Sequence, residues 1–415
     1  MRIFSAMLYC ANPRCSNPFS PDGSKFCVSC GSQPLTPLFR HRYRVMRLLG
    51  EGGFGRTYEA RDTDKMDDPC VIKQFMPQVQ GTAALEKATK LFQQEAQRLY
   101  ELGEHPQIPR LVAYFEQDQR LYLVQELIEG QNLLQELQQQ GSFSEEKIKQ
   151  LLADLLPVLK FVHENGVIHR DIKPENIMRR RIASSSMSKK KVDLVLIDFG
   201  VSSTVGTVGA DTIVGTLGYA PIEQMRGQVF PASDLYSLGI TCIRLLTNCL
   251  PNDGVDKLYD AVNGRWLWRK RLPKGVTISP QLGLILDNLI QDDVQQRYQN
   301  ASEVLQVINY VYLEQEIFTK VSTIISRQLK IAVNKITFKY HLSSSRANEL
   351  DVLELIIALE EEFDIEIPDE DYEAVFKLFY VGSLQNIKSY QWLGHLVTVK
   401  DVVDYILQRI QIKNK

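Results

Sequence analysis

The chain has 415 residues, 44% hydrophobic and 24% charged, with a formal net charge of −2. That length exceeds what one hydrophobic core organises, so two or three domains are expected. The balanced charge argues against nucleic acid or an acidic membrane surface as a partner, and no window approaches the ~20 consecutive apolar residues of a membrane helix.

The opening "MRIFSAMLYCANPRC" lacks an apolar segment followed by a small-residue cleavage site. No signal peptide is read there, and the cytoplasm is the expected compartment, which disfavours disulfides. Cys10, Cys15, Cys27 and Cys30 follow in the pattern C-x4-C-x11-C-x2-C. Two close pairs across a short loop can bring four thiolates to the corners of a tetrahedron, which suits Zn2+. A segment this small buries too little apolar area to fold alone, so the metal would supply folding free energy. Reactive thiols or disulfides are the competing reading. With four Cys and no general base nearby, a structural zinc is favoured over a catalytic one. Residues 8–31 resemble the small zinc ribbons at the ends of bacterial regulatory proteins. Pro34 and Pro37 then favour an extended linker over 32–42. Cys70, Cys242 and Cys249 lie in apolar surroundings and read as small core residues.

"LLGEGGFGRTYEA" sets Gly50, Gly52 and Gly55 in G-x-G-x-x-G spacing. The motif alone is weak, because dinucleotide-binding folds share it. Here the apolar flanks predict a strand on each side, hence a glycine-rich hairpin rather than a strand-to-helix turn. Bare backbone amides at Gly52, Gly53 and Gly55 can approach phosphates closely, and Phe54 at the tip can cover them. "CVIKQF" puts Lys73 on a strand, and "LFQQEAQRLYEL" predicts an amphipathic helix carrying Glu95. "HRDIKPENI" and "LIDFG" follow at 169–177 and 196–200.

With these motifs in this order, the middle block resembles the eukaryotic-type (Hanks-type) serine/threonine protein kinases. The resemblance implies ATP and Mg2+. It makes Lys73 the holder of the α- and β-phosphates and Glu95 the partner that fixes its aim. In "LVQELIEG" Gln125 takes the gatekeeper position, and the backbones of Glu126 and Ile128 meet the adenine edge. Asp171 is the base for the substrate hydroxyl, Lys173 neutralises the transferring group, and Asn176 and Asp198 are the Mg2+ ligands. Lys173 in the catalytic loop goes with Ser or Thr substrates. In "GTLGYAPIEQ" Thr216 is expected to contact Asp171 and Lys173, and Glu223 to pair with Arg297. Asp234 in "SDLYSLG" braces the catalytic loop. Thr57 and Val71 stand over the adenine where the family usually has Val and Ala, and Pro221-Ile222-Glu223 replaces Ala-Pro-Glu. None of these departures removes a phosphate or metal ligand. Arg170 suggests control by phosphorylation of the loop from 200 to 215, at Thr207 or Thr212.

An insert, "RRRIASSSMSKKK" at 179–191, is basic and Ser-rich and reads as a solvated loop, with docking to an acidic partner or autophosphorylation as alternatives. After the kinase-like block, "VSTIISRQL" places Val321, Ile324, Ile325 and Leu329 on one helix face. "NELDVLELIIALEEEF" resembles the second helix of acyl carrier proteins, but Glu349 stands where that family carries its prosthetic arm on Ser. Asn348 predicts an N-cap, and a carboxylate at the first helical position gains ~0.3–1 kcal/mol from the helix dipole. No phosphopantetheine is expected. "VKDVVDYILQRI" predicts a closing helix, while 372–394 is longer than carriers usually have. The acidic helix is expected to dock a partner, the plainer alternative being a tail that packs on the kinase.

The expected fold class is therefore multidomain α+β: a zinc ribbon at 8–31, a bilobal kinase fold at 43–312 with a β-rich first lobe and a helical second, and a carrier-type helical bundle at 320–412. The expected activity is ATP-dependent phosphorylation of protein Ser/Thr hydroxyls. The alternative is a pseudokinase-like scaffold that binds nucleotide and partners without efficient transfer.

Overall fold

The computed structural model describes residues 7–10, 12, 15–33, 35–52, 55–76, 81–181, 194–199, 203–204, 216–251, 256–345, 347–368 and 398–413. Two compact units divide the chain, Met1–Leu305 and Gln306–Lys415.

In the first unit, β1 (Met7–Cys10) is the middle strand of a small sheet, between β2 (Phe19–Pro21) and β3 (Leu35–Thr36). A five-stranded antiparallel sheet follows. It holds β4 (Tyr43–Gly52), β5 (Gly55–Asp62), β6 (Asp68–Phe75), β7 (Leu111–Gln117) and β8 (Arg120–Glu126) in the order β4-β5-β6-β8-β7. Strand periodicity decides its two faces. Along β5, Arg56, Tyr58, Ala60 and Asp62 are buried while the residues between them are half-exposed. Tyr58, Ile72, Tyr122 and Val124 form a core that also takes in Tyr9 of β1 and Phe39. The interval read above as a linker thus carries β3 and a buried aromatic. Tyr9 Oη donates to Gln74 Oε1 at 2.7 Å and meets Tyr58 Oη at 2.8 Å, so the phenol is paired although buried.

α1 (Thr82–Glu101) buries Ala88, Phe92, Glu95, Ala96 and Leu99, a helical stripe whose one acid is Glu95. Beyond β9 (Gly130–Asn132) and α2 (Leu133–Gln140), α3 (Glu145–Glu164) starts at Ser144, whose Oγ caps the Lys147 amide. It buries Ile148, Leu151, Leu152, Leu155, Leu156, Val158, Leu159 and Val162. Next come the short strands β10 (Val167–Ile168), β11 (Ile177–Arg180), β12 (Leu194–Leu196) and β13 (Ser203–Thr204). β11 lies between β12 and β9. After α4 (Ile222–Met225), α5 (Pro231–Thr247) is buried from Ala232 to Thr247, including a polar stripe of Ser233, Ser237, Thr241 and Arg244 whose side chains are hydrogen-bonded. α6 (Pro280–Leu289) packs beside it.

α7 (Ala301–Leu329) is one helix, and the division into units falls within it. In the second unit Ile317, Val321, Ile324 and Ile325 of α7 share a core with two further helices. α8 (Glu349–Phe363) contributes Val352, Leu355, Ile356 and Leu359, and α9 (Val399–Lys413) contributes Val399, Val403, Ile406 and Leu407. Asn348 caps α8 reciprocally with Asp351, at 3.0 and 2.9 Å. Leu350, Leu353 and Ile357 face outward. All of 372–394 lies outside the described residues, as does the side chain of Glu349.

Candidate active site

The site is assembled by register. β5 pairs with β6 so that Thr57 faces Lys73, and β6 with β8 so that Val71 faces Gln125. The pleat sends Lys73 to the face opposite Ile72 and Gln74, toward α1. There its Nζ donates to Glu95 Oε1, and it lies 3.0 Å from Asp198 Oδ1. Burial opposes the ammonium charge, but Asp198 and Glu95 more than offset this and hold Lys73 above the ordinary lysine range. Glu95 is shifted upward, because its burial outweighs the attraction of Lys73. Gly55 presses β5 against β6: at its φ of 144° a Cβ would stand 1.9 Å from Gln74 O. Gly50 and Gly52 form the other arm, with Gly50 opposite Thr57 and Gly52 opposite Gly55. Gly53 and Phe54 lie outside the described residues.

The opposite wall is the loop between β10 and β11. Because β11 pairs with β12, the residues before Ile177 and those after Leu196 are neighbours, and Ile197 N donates to Asn176 O at 2.9 Å. Asp171 and Asp198, 27 positions apart in the chain, reach one cleft by this pairing. Asp171 is held on both carboxylate oxygens. Thr216 Oγ1 donates to Oδ1 at 2.7 Å and Asn176 Nδ2 donates to Oδ2 at 2.9 Å. Lys173 Nζ lies 2.7 Å from Asp171 Oδ2 and donates to Thr216 Oγ1 at 2.7 Å. Arg170 and Asp198 adopt left-handed backbones, φ 71° and 69°, each costing on the order of 1 kcal/mol outside glycine. Gln125 is buried and Glu126 N donates to Arg110 O at 2.9 Å, with Ile128 buried beyond.

Behind the loop, Asp234 accepts the amides of His169 and Arg170 at 2.8 Å each and bonds His163 Nε2 at 2.8 Å. Burial alone would raise this carboxyl. The His163 bond, the nearby imidazoles and the Arg170 amide outweigh it and hold Asp234 below the ordinary range. Arg297 grips Glu223 with two nitrogens, at 2.7 and 3.2 Å, both groups buried. The sequence singled out Asp234 but not His163, nor Gln224, whose Nε2 donates to Arg170 O at 2.7 Å. The "H" in "FVHENGVIHRD", six residues before the loop, is a signal only once the fold sets α3 beside α5. Arg170 is buried, and its Nε finds no hydrogen-bond partner among the described residues. Thr207 and Thr212 lie outside those residues.

At the N-terminus the Sγ atoms of Cys10, Cys15, Cys27 and Cys30 all lie within 4.8 Å of one another. Cys15 and Cys27 are 3.5 Å apart and Cys10 and Cys30 3.6 Å. Four sulfurs ~2.3 Å from one ion would be spaced by about 3.8 Å, so the cluster fits a tetrahedral metal and is far from the ~2.05 Å of disulfides.

The model that defines the protein kinase domain family matches residues 43–312, and the chain belongs to that family. It is 39% identical to serine/threonine-protein kinase B of Synechocystis sp., over 73% of this chain and 52% of that protein. It is likewise 39% identical to serine/threonine-protein kinase F of the same organism, over 73% of this chain and 63% of that one. Against serine/threonine-protein kinase PknA of Nostoc sp. the identity is 38%, over 66% and 48%. The chain thus spans about half to just under two thirds of the length of these curated relatives.

Proposed function

We propose that this protein transfers the γ-phosphate of ATP to Ser or Thr hydroxyls of protein substrates. The observation that carries the reading is the closed constellation across the cleft. Lys73 bridges Glu95 and Asp198, while Asp171 is oriented by Asn176 and Thr216. A scaffold without turnover would have no need to keep two left-handed residues and a buried ion pair in this arrangement. Lys73 would hold the α- and β-phosphates under the Gly50–Gly55 hairpin, and Thr57, Val71, Gln125, Glu126 and Ile128 would surround the base. Asn176 and Asp198 would hold Mg2+, which when bound neutralises charge on the phosphates. Asp171 takes the proton of the attacking hydroxyl. Its lone pair is aimed by the Thr216 and Asn176 bonds, so little reorganisation accompanies the transfer. Lys173, beside Asp171, faces the charge that develops on the transferred group. Radiolabelled ATP with Mg2+ tests the reading: the wild type should label protein Ser or Thr and Asp171→Asn should not. Equal labelling by both would favour the scaffold.

The reading extends to the flanking parts. The four-cysteine cluster holds a structural zinc as a ribbon, supported by its sulfur spacing. A cytoplasmic setting would keep those thiols reduced. Metal analysis of purified protein should return one zinc per chain. Arg170 would receive a phosphate on Thr207 or Thr212. An unmodified intact mass in fully active enzyme would remove that idea. The second unit acts as a carrier-type bundle without phosphopantetheine, offering the outward Leu353 and Ile357 beside Glu354 and Glu361 to a basic partner. Neither nucleic acid nor membrane belongs to this reading. Among the described residues no helix is long and apolar enough to cross a membrane.

A further inference from the structure

Arg56, beside the glycine-rich hairpin, has no part in the chemistry above. It follows Gly55 and, by the pleat of β5, points away from the face that carries Thr57. It pairs with Glu51 across the hairpin and with Gln74 across to β6, one position from Lys73. Its side chain is only 5% exposed. Its Nη2 donates to the backbone carbonyl of Cys15 at 2.7 Å, and its Nε lies 3.1 Å from Glu51 Oε2. Cys15 is itself buried, with its sulfur 3.5 Å from that of Cys27 in the four-cysteine cluster. A buried cation is costly unless its partners stay in place. Arg56 therefore ties the hairpin from outside to the backbone of a cluster residue. Tyr9 anchors the cysteine segment to the same part of the sheet, on Tyr58, two residues further along β5, and on Gln74, which faces Arg56 across to β6.

We propose that Arg56 is a positioning residue that couples metal occupancy of the four-cysteine cluster to nucleotide binding by the hairpin. With metal bound, the Cys15 carbonyl is fixed and Arg56 holds the Gly50–Gly55 arms over the cleft. With metal lost, the segment loses the ion that folds it, the carbonyl moves away and the hairpin loses its outer support. ATP affinity falls while the catalytic loop, on the other wall, is untouched. The inference rests on the zinc reading above and goes beyond it by giving the metal a kinetic consequence.

The test uses the full chain with saturating Mg2+, a zinc-selective chelator, a generic Ser/Thr acceptor protein and a fluorescent ATP analogue. Arg56→Ala should retain one zinc per chain and raise KM for ATP and the analogue Kd about tenfold, the loss expected for one charge-assisted hydrogen bond. Its kcat should stay within about twofold, because no interaction special to the transition state is removed. Chelation should reproduce that rise in the wild type and add nothing in Arg56→Ala. Zinc-bound Arg56→Ala with wild-type KM overturns the coupling and leaves the zinc reading standing. An equal response of both proteins to chelation also overturns it, since another path would carry the effect. Protein isolated without zinc overturns both. Should Arg56→Ala fail to fold, the wild-type titration still decides, because an unchanged Kd after zinc removal refutes the proposal.

Discussion

At the scale of single residues, the cleft separates groups that do chemistry from groups that aim them. Thr216 belongs to the second kind, since its hydroxyl donates to Asp171 and accepts from Lys173. Thr216→Ala should lower kcat about tenfold or more with nucleotide Kd unchanged, and Thr216→Ser should restore most of it. Steady-state kinetics beside nucleotide titration would show the split. Asp234 works one layer further back. Its folded-state carboxyl titrates below the unfolded value near 3.8, so its contribution is complete above that value and is lost as pH falls through the lower native one. Asp234→Ala should cost about 3 kcal/mol near neutral pH, because two amides and an imidazole lose their acceptor in the interior. The difference from wild type should shrink in denaturant melts taken near pH ~3. An unchanged difference would contradict the assignment of the charge.

At the scale of elements, two local devices decide whether a segment sits where its pattern allows. Gly55 needs both its positive φ and the missing Cβ to lie against Gln74 O. Gly55→Ala should cost about 1–3 kcal/mol and raise KM for ATP, measured by thermal melts and kinetics. The reciprocal cap of Asn348 and Asp351 sets the first turn of α8. Asn348→Ala should destabilise the second unit by about 1 kcal/mol. In the full chain, hydrogen exchange should quicken in α8 while phosphotransfer is unaffected. α8 begins at Glu349 on backbone and cap alone, and on the proposed carrier-type reading that position needs no modifiable Ser. Exposure to a phosphopantetheinyl transferase should leave the intact mass unchanged.

At the scale of the whole molecule, the cysteine segment is part of the first unit. Tyr9 and Phe39 sit in the same core as Tyr58 and Tyr122. If the cluster holds the proposed zinc, its removal should therefore lower the melting temperature of the kinase unit by several degrees and leave the α8–α9 core melting as before. Calorimetry of the full chain would resolve the two transitions. Composition gave no hint of this packing, since a Cys-rich block followed by prolines reads equally well as a tethered module.

Ordered motifs made the kinase cleft legible before any fold was known. Phosphate chemistry demands particular residue types at particular spacings, and few alternatives share them. Lys73 contacts Glu95 and Asp198, and Asp171 contacts Asn176 and Thr216. Periodicity likewise placed the last turns of α7, and α8 and α9, on the chain, but the break expected between 312 and 320 falls inside the continuous α7. What it misjudged was which side of a periodic segment is buried, and what it could not reach were partners distant in sequence. On α8 the pattern reads Leu350, Leu353, Ile356, Ile357 and Leu359 as the apolar side, whereas packing against α7 and α9 buries Val352, Leu355, Ile356 and Leu359 and leaves Leu350, Leu353 and Ile357 exposed. His163 beneath Asp234, and Arg56 on the carbonyl of Cys15, are legible only in three dimensions. Their meaning comes from a contact across 71 and 41 positions, which no local pattern encodes.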